Sequence, residues 1–481
     1  MLPESVLRHI DDNMERYVDE LMQFIAIPSD SMTAFHAKDV REAAEWTLKH
    51  VSRLGFTGRI YETPGHPVVY AELLSDPDAP TLLIYGHYDV QPEGDPEDWE
   101  SPPFSPEVRN EMIFGRGASD DKGQLFTYIK SIESILAAEG RLPANIKLFF
   151  EGEEELGSPN MDAFVGQHKE LLKADVIAIS DGAKFTRDRP AIEYGLRGLV
   201  YMQIDVEGPE MDIHSGVYGG GVTNPATALI QILSKLRDDS GKVLIPGFYD
   251  DVREIEAWER KQLASLPFDA SSIKSLLGLK TLNPEQGYTF LESTWTRPTM
   301  EINGIWGGYQ GEGSKTIIPA SAGAKVSMRI VPDQSMDRII QLFEAHVRSV
   351  TPPGVTVKIT RHAASEPVIV SQGSAAIRSA KAAIEYAFDR EPVFIRSGGS
   401  IGVVLIMKKW LGIEDILLIG FADPEDGEHS PNEHFSLDNY YRGIKTTGAL
   451  IYGLAQTKKP EEVAPIAEQQ HSHQHNPSSQ T

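Results

Sequence analysis

The segment Gly86-His87-Tyr88-Asp89-Val90 places an imidazole and a carboxylate two residues apart, just past the apolar run Thr81–Tyr85. Other groups stand in the same relation to other runs. Glu153, Glu154 and Glu155 follow Ile146–Phe150, Asp181 follows Asp175–Ser180, and His429 comes shortly after Ile416–Phe421. If these runs are strands of one open α/β sheet, their carboxyl ends share an edge, which is where such sheets carry their sites. Asp120 and Asp121 stand beside the turn Gly115-Arg116-Gly117 and precede a helix beginning near Lys122. Singly, each group has an ordinary explanation: a helix N-cap for an aspartate, a solvated loop for Glu154, a hydrogen-bonded core position for His87. Together they read differently. Three adjacent glutamates after a buried strand repel one another unless a cation offsets their charge. Imidazole and carboxylate donors without thiolates suit zinc, and less selectively manganese or cobalt.

The elements that must position these groups follow from periodicity. Short β-rich runs alternate with helical patterns through about residue 190, and Leu125, Tyr128, Ile129, Ile132, Ile135 and Leu136 recur at helical spacing between two of the runs. That βαβ grammar predicts an α/β fold with a mainly parallel sheet flanked by helices. From Leu199 the grammar changes. Val200, Met202, Ile204 and Val206 alternate as in a strand, Ala226–Leu236 is helical, Thr299–Ile302 is a strand, and Ala324, Val326, Met328 and Ile330 alternate again. Met336–Val347 is then helical and Val355–Ile359 a strand. The order β-α-β-β-α-β fits a ferredoxin-like sandwich, provided about 240–298 is an insertion. The organisation expected is a sheet domain made of 1–198 and 370–457, interrupted by a smaller domain at 199–369. Residues 458–481 are rich in Gln, Glu, Pro, Ser and His and read as a disordered tail, His471, His473 and His475 included.

Composition bounds the rest. At 481 residues, two domains with separate cores are expected. Acidic residues outnumber basic ones by 70 to 45, and a net charge of -25 repels nucleic acid and anionic membranes. The chain has no cysteine, so disulfides, thiolate metal sites and a cysteine nucleophile are excluded. Residues 1–25 read as an amphipathic helix, no apolar run approaches the roughly 20 residues of a membrane span, and a cytoplasmic protein is the simplest reading.

The motifs also resemble a known family, the co-catalytic two-zinc metallopeptidases that include glutamate carboxypeptidase, aminoacylase, succinyl-diaminopimelate desuccinylase and carnosinase. The resemblance is strongest to carnosinase-like cytosolic dipeptidases. It rests on Gly86–Pro92, Gly115–Gly123, Phe150–Ser158, Tyr194–Gly198, His214–Gly220, Ser397–Ile401 and Asp426–Ser430, which span nearly the whole chain except the tail. It implies two zinc ions bridged by Asp120, one also held by His87 and Asp181, the other by Glu155 and His429. It further implies a cis Asp120–Asp121 peptide, Asp89 orienting His87 from behind, and Glu154 as general base toward a bridging water activated by the two ions. The smaller domain becomes a lid and dimerisation module of a homodimer. From it His214 reaches the partner subunit's metals to stabilise the oxyanion, and Arg329 binds the substrate's terminal carboxylate with help from Gly399 and Ser400.

The function expected is metal-dependent hydrolysis of dipeptides or similarly small peptide-like substrates. Two alternatives stand beside it: a deacylase or desuccinylase of N-acyl amino acids, and a catalytically inert binding homologue. Carnosinase-like enzymes carry a His-Pro-His segment where this chain has Ser371-Gln372-Gly373, which predicts poor activity on β-alanyl-histidine.

Overall fold

The computed structural model describes residues 1–397 and 402–457. Gly399, Ser400 and the histidine-containing tail lie outside the described residues.

Short apolar runs build a nine-stranded sheet among the described residues. Its order is Thr57–Tyr61, Val68–Leu73, Asn145–Glu151, Thr81–His87, Val176–Ile179, Ile416–Leu418, Ala191–Leu196, Val368–Ile369, with Val393–Ser397 also paired to Ala191–Leu196. The central strands from Asn145–Glu151 to Ile416–Leu418 run parallel. The pairs at one edge, and those that Ala191–Leu196 makes with Ile416–Leu418 and Val368–Ile369, are antiparallel. The sheet is therefore mixed rather than mainly parallel. Its central strands are buried on both faces and show no alternation, as parallel strands under helices do.

Helices cover both faces. Glu4–Ile25 buries Val6, Ile10, Tyr17, Leu21 and Phe24, spaced so that one stripe meets the core. Lys122–Glu139 lies between that helix, Leu437–Ala455 and the sheet, so it is buried almost all round. It stops at Gly140, whose φ of 72° is the left-handed conformation glycine adopts without penalty. On the opposite face, Met161–Gln167 and Gly402–Leu411 close a second core around Leu83, Tyr85, Phe149 and Ile177.

A separate antiparallel sheet has the order Thr299–Gly307, Ser321–Ile330, Gly198–Glu207, Thr356–Ser365. Pro225–Leu233 and Met336–Val350 pack on it and share a core with Val200, Met202, Ile204, Val206, Val326 and Met328. The chain visits these elements as β-α-β-β-α-β. Within 240–298, Val243, Ile245 and Phe248 join that core, while Leu263, Leu266 and Leu291 pack against Ala191 and Ile395 of the large sheet. The segment thus straddles both units.

Candidate active site

Parallel register sets the site. Thr81–His87 pairs with Asn145–Glu151 so that His87 faces Glu151, and with Val176–Ile179 so that Tyr85 faces Ile179. The turn after Glu151 and the residues after Ile179 therefore emerge on one edge, together with the His87 side chain. The edge gathers two groups of donors, His87 with Asp120 and Asp181, and Asp120 with Glu155 and His429. Within each group, one donor atom from every member lies within 4.8 Å of the others. Asp120 belongs to both.

The individual contacts are close. His87 Nε2 stands 3.0 Å from Asp120 Oδ1 and 3.9 Å from Asp181 Oδ1. His429 Nε2 stands 2.8 Å from Asp120 Oδ2 and 3.4 Å from Glu155 Oε2. His87 Nε2 and Glu155 Oε1 are buried atoms without a hydrogen-bond partner. The 3.0 Å approach of His87 to Asp120 is thus an electrostatic contact rather than a hydrogen bond, since the alignment fails. Orphaned lone pairs at the meeting point of imidazole and carboxylate donors fit a pair of divalent cations with N/O coordination.

Charge balance supports the fit. Burial opposes a charged His87, yet Asp120, Asp181 and Asp89 raise its imidazole well above the ordinary value. Asp120 and Glu155 raise His429 to about 10 against its partial burial. Burial, then Asp181, raises Glu154 well above the carboxylate range, and burial raises Glu155 despite His429. Four carboxylates crowd two imidazoles, and protons are the compensation available to the protein alone.

Asp89 touches both His87 and the turn of the glutamates. Its carboxylate accepts from Ser31 Oγ at 2.7 Å and from the backbone N–H of Glu154 and Glu155, both at 3.2 Å. It thereby caps the short turn Glu154–Leu156 that presents both glutamates. His87 Nδ1 pairs with the Asp89 carbonyl at 3.0 Å, with the carboxylate farther off at 3.4 Å. The third glutamate is directed elsewhere, because Glu153 accepts from the His66 N–H and from Asn160. The Asp120–Asp121 peptide is cis.

Other sequence-derived candidates lie apart from this cluster. His214 is exposed at the end of the pair Ile213–His214, and its Nδ1 accepts from Gly216 N–H. Arg329 is half-buried on Ser321–Ile330, opposite Leu199 on one neighbouring strand and Thr299 on the other. Arg197 donates to Thr299 Oγ1 at 3.4 Å, and burial followed by Arg329 lowers its guanidinium to about 10. No carboxylate pairs with either arginine among the described residues.

Several residues beside the cluster were not singled out in the sequence. Gln91 donates to Glu155 Oε2 at 2.7 Å. Glu433 accepts from the backbone N–H groups of Gly117, Ser119 and Asp120 at 3.0, 2.9 and 3.0 Å. Glu193, half-buried on Ala191–Leu196, is pushed up to about 8 by burial and then by Asp181. Only the last could have been suspected, as an acid interrupting the apolar stretch Ala191–Leu196.

The family model described as Peptidase family M20/M25/M40 matches residues 83–453, and the chain belongs to that family. It is 33% identical to the Cys-Gly metallodipeptidase DUG1 of Candida albicans, over 92% of this chain and 95% of the relative. It is 30% identical to the human Beta-Ala-His dipeptidase, over 95% and 93%. Among solved structures, the metallo-carboxypeptidase Sso-CP2 of Sulfolobus solfataricus is 35% identical and superposes with a TM-score of 0.82, covering 91% of this chain and 99% of that one.

Proposed function

We propose that this chain is a metal-dependent dipeptidase that hydrolyses the amide bond of dipeptides or similarly small peptides. The observation that carries the reading is the pair of donor triads sharing Asp120, with Glu154 on the turn beside them. The names of the dipeptidase relatives support the substrate class.

His87, Asp120 and Asp181 hold one divalent ion, and Asp120, Glu155 and His429 the other. The donor set favours zinc, with manganese or cobalt as substitutes. Bound there, the ions supply acidification of a water and polarisation of the scissile carbonyl. Glu154 takes the proton of the attacking water as the C–O bond forms, and delivers it to the departing nitrogen as the C–N bond breaks. Asp89 keeps the His87 ring and the Glu154–Glu155 turn in place. Arg329, with Gly399 and Ser400, holds the substrate's terminal carboxylate.

The four-stranded unit acts as a ferredoxin-like lid, a reading supported by its β-α-β-β-α-β order. The domain division is then 1–198 with 370–457 for catalysis and 199–369 for the lid. The protein is a homodimer joined through the lid, and the partner subunit's His214 completes the oxyanion site. Exposure of His214 beside exposed Val217, Tyr218 and Val222 supports that assembly. No described helix is long and apolar enough to cross a membrane.

The test is hydrolysis of free dipeptides, tripeptides and N-acyl amino acids by protein reloaded separately with zinc, manganese and cobalt. Free dipeptides are expected to be cleaved fastest. Turnover of N-acyl amino acids alone, or of nothing in any metal form, overturns the proposal.

A further inference from the structure

We propose that Glu193 receives the free α-ammonium group of the substrate, so that the site selects dipeptides with an unblocked amino end. The inference rests on the dipeptidase reading above and resolves which end of the substrate this chain checks. Glu193 has no place in either donor triad.

Its position follows from the sheet. Glu193 lies on Ala191–Leu196, opposite Leu418 on one neighbouring strand and Ile395 on the other. Its Oε1 comes within 3.7 Å of where a Cβ on Gly182 would stand. Gly182 follows Asp181, so this carboxylate sits one step outside the first donor triad. The nearby cations are engaged elsewhere. Lys184 pairs with Asp423 and Asn439, and Arg396 pairs with Glu259. Among the described residues, Glu193 has neither an ion pair nor a hydrogen bond to its carboxylate. A half-buried carboxylate without a cation is unfavourable, and a mobile partner that arrives with its own charge removes the penalty.

A dipeptide brings such a charge to the right place. The α-nitrogen lies about 2.5 Å from the scissile carbonyl carbon, as the N–Cα and Cα–C bond lengths and the angle between them dictate. A carbonyl polarised at the donor triads therefore holds the ammonium group within a few ångströms of them, and the proposal places it on the side of Asp181, where Glu193 lies. Next to two divalent cations that ammonium is repelled unless a carboxylate faces it. An N-acyl substrate places a neutral amide there and leaves Glu193 uncompensated. Arg329, assigned above to the substrate's terminal carboxylate, pairs with no acid among the described residues, so the charges proposed for the two ends match those of a zwitterionic dipeptide.

The experiment compares alanyl-leucine with N-acetyl-alanyl-leucine and the desamino analogue propionyl-leucine. The proteins are metal-loaded wild type, Glu193→Gln and Glu193→Asp. Equilibrium binding of the ligands is measured in parallel on Glu154→Gln with and without Glu193→Gln. For alanyl-leucine, Glu193→Gln should lower kcat/KM by about 10- to 100-fold, the range of a charged hydrogen bond, mainly through KM and with the same loss in binding. Both blocked substrates should be unchanged, and Glu193→Asp should be intermediate. Equal losses for free and blocked substrates, or no loss for either, overturn the proposal. Should Glu193→Gln not fold, wild type decides, since equal turnover of propionyl-leucine and alanyl-leucine also overturns it. Wild type that cleaves no free dipeptide removes the dipeptidase reading itself, and this inference with it.

Discussion

Glu433 Oε2 accepts a hydrogen bond from Arg116 Nη1 at 2.8 Å, with both side chains buried. The same carboxylate takes the N–H groups of Gly117, Ser119 and Asp120, so it fixes the loop that carries the shared aspartate of the two donor triads. Removing it leaves a buried guanidinium and three N–H groups without their acceptor. Glu433→Ala should therefore cost about 3–5 kcal/mol, as breaking a buried pair does, and should weaken metal binding. Urea unfolding and metal titration check this. Unchanged values for both would show that the loop holds itself.

The adjacent glutamates should behave differently. Glu154→Gln keeps shape and metal content but accepts no proton, so kcat should fall by about 10²–10⁴ with binding largely kept. Glu155→Ala should release one metal and lower thermal stability. Metal content by atomic emission, alongside steady-state kinetics, separates them. Metal loss from Glu154→Gln with full occupancy in Glu155→Ala would swap the assignments.

Stability should fall in mild acid through His50, which belongs to neither of the two triads that share Asp120. Burial, and then Lys130, lowers its imidazole from 6.5 to about 4. Between those values the unfolded chain binds a proton that the folded one refuses. The contribution is thus complete above the ordinary value and is lost as pH falls toward the folded one. A shift of that size is worth about 3 kcal/mol at 1.36 kcal/mol per unit. His50→Gln retains an acceptor for Lys130 Nζ, which stands 2.9 Å from His50 Nε2, but does not titrate. Melting temperatures recorded from about pH 7 to pH 4 should fall less steeply for the variant, and parallel curves would exclude His50 as the cause.

β-Alanyl-histidine should be a poor substrate compared with dipeptides of alanine, glycine or leucine. The segment Ser371-Gln372-Gly373 lacks imidazoles, and Gln372 lines a cavity of about 380 Å³ with Tyr194, Trp258, Glu259 and Arg396. An equal or higher kcat/KM for β-alanyl-histidine would refute this.

If His214 serves the neighbouring subunit, mixing inactive His214→Ala with inactive Glu154→Gln should restore part of the activity through hybrid dimers. Native mass spectrometry verifies subunit exchange. No recovery after exchange would place each site within one chain.

The sequence by itself determined which residue types end which strands. Short β-rich apolar runs before His87, Glu154, Asp181 and His429 marked the strands, because a continuous apolar stretch is local to the chain. Periodicity also foresaw the β-α-β-β-α-β order of the smaller unit, whose half-exposed strands alternate cleanly. Buried central strands lose that alternation, and strand direction leaves no local mark, so the mixed character of the large sheet was not legible. Composition does not distinguish the three glutamates, and the tertiary structure shows how Glu153 parts from Glu154 and Glu155: Asp89 caps the turn that carries the latter two, while Glu153 accepts from His66. Only the tertiary structure brought Glu433 to the Gly117–Asp120 loop. Those contacts join residues remote in the chain, and burial determines them: a desolvated N–H or carboxylate must find a partner wherever the fold supplies one.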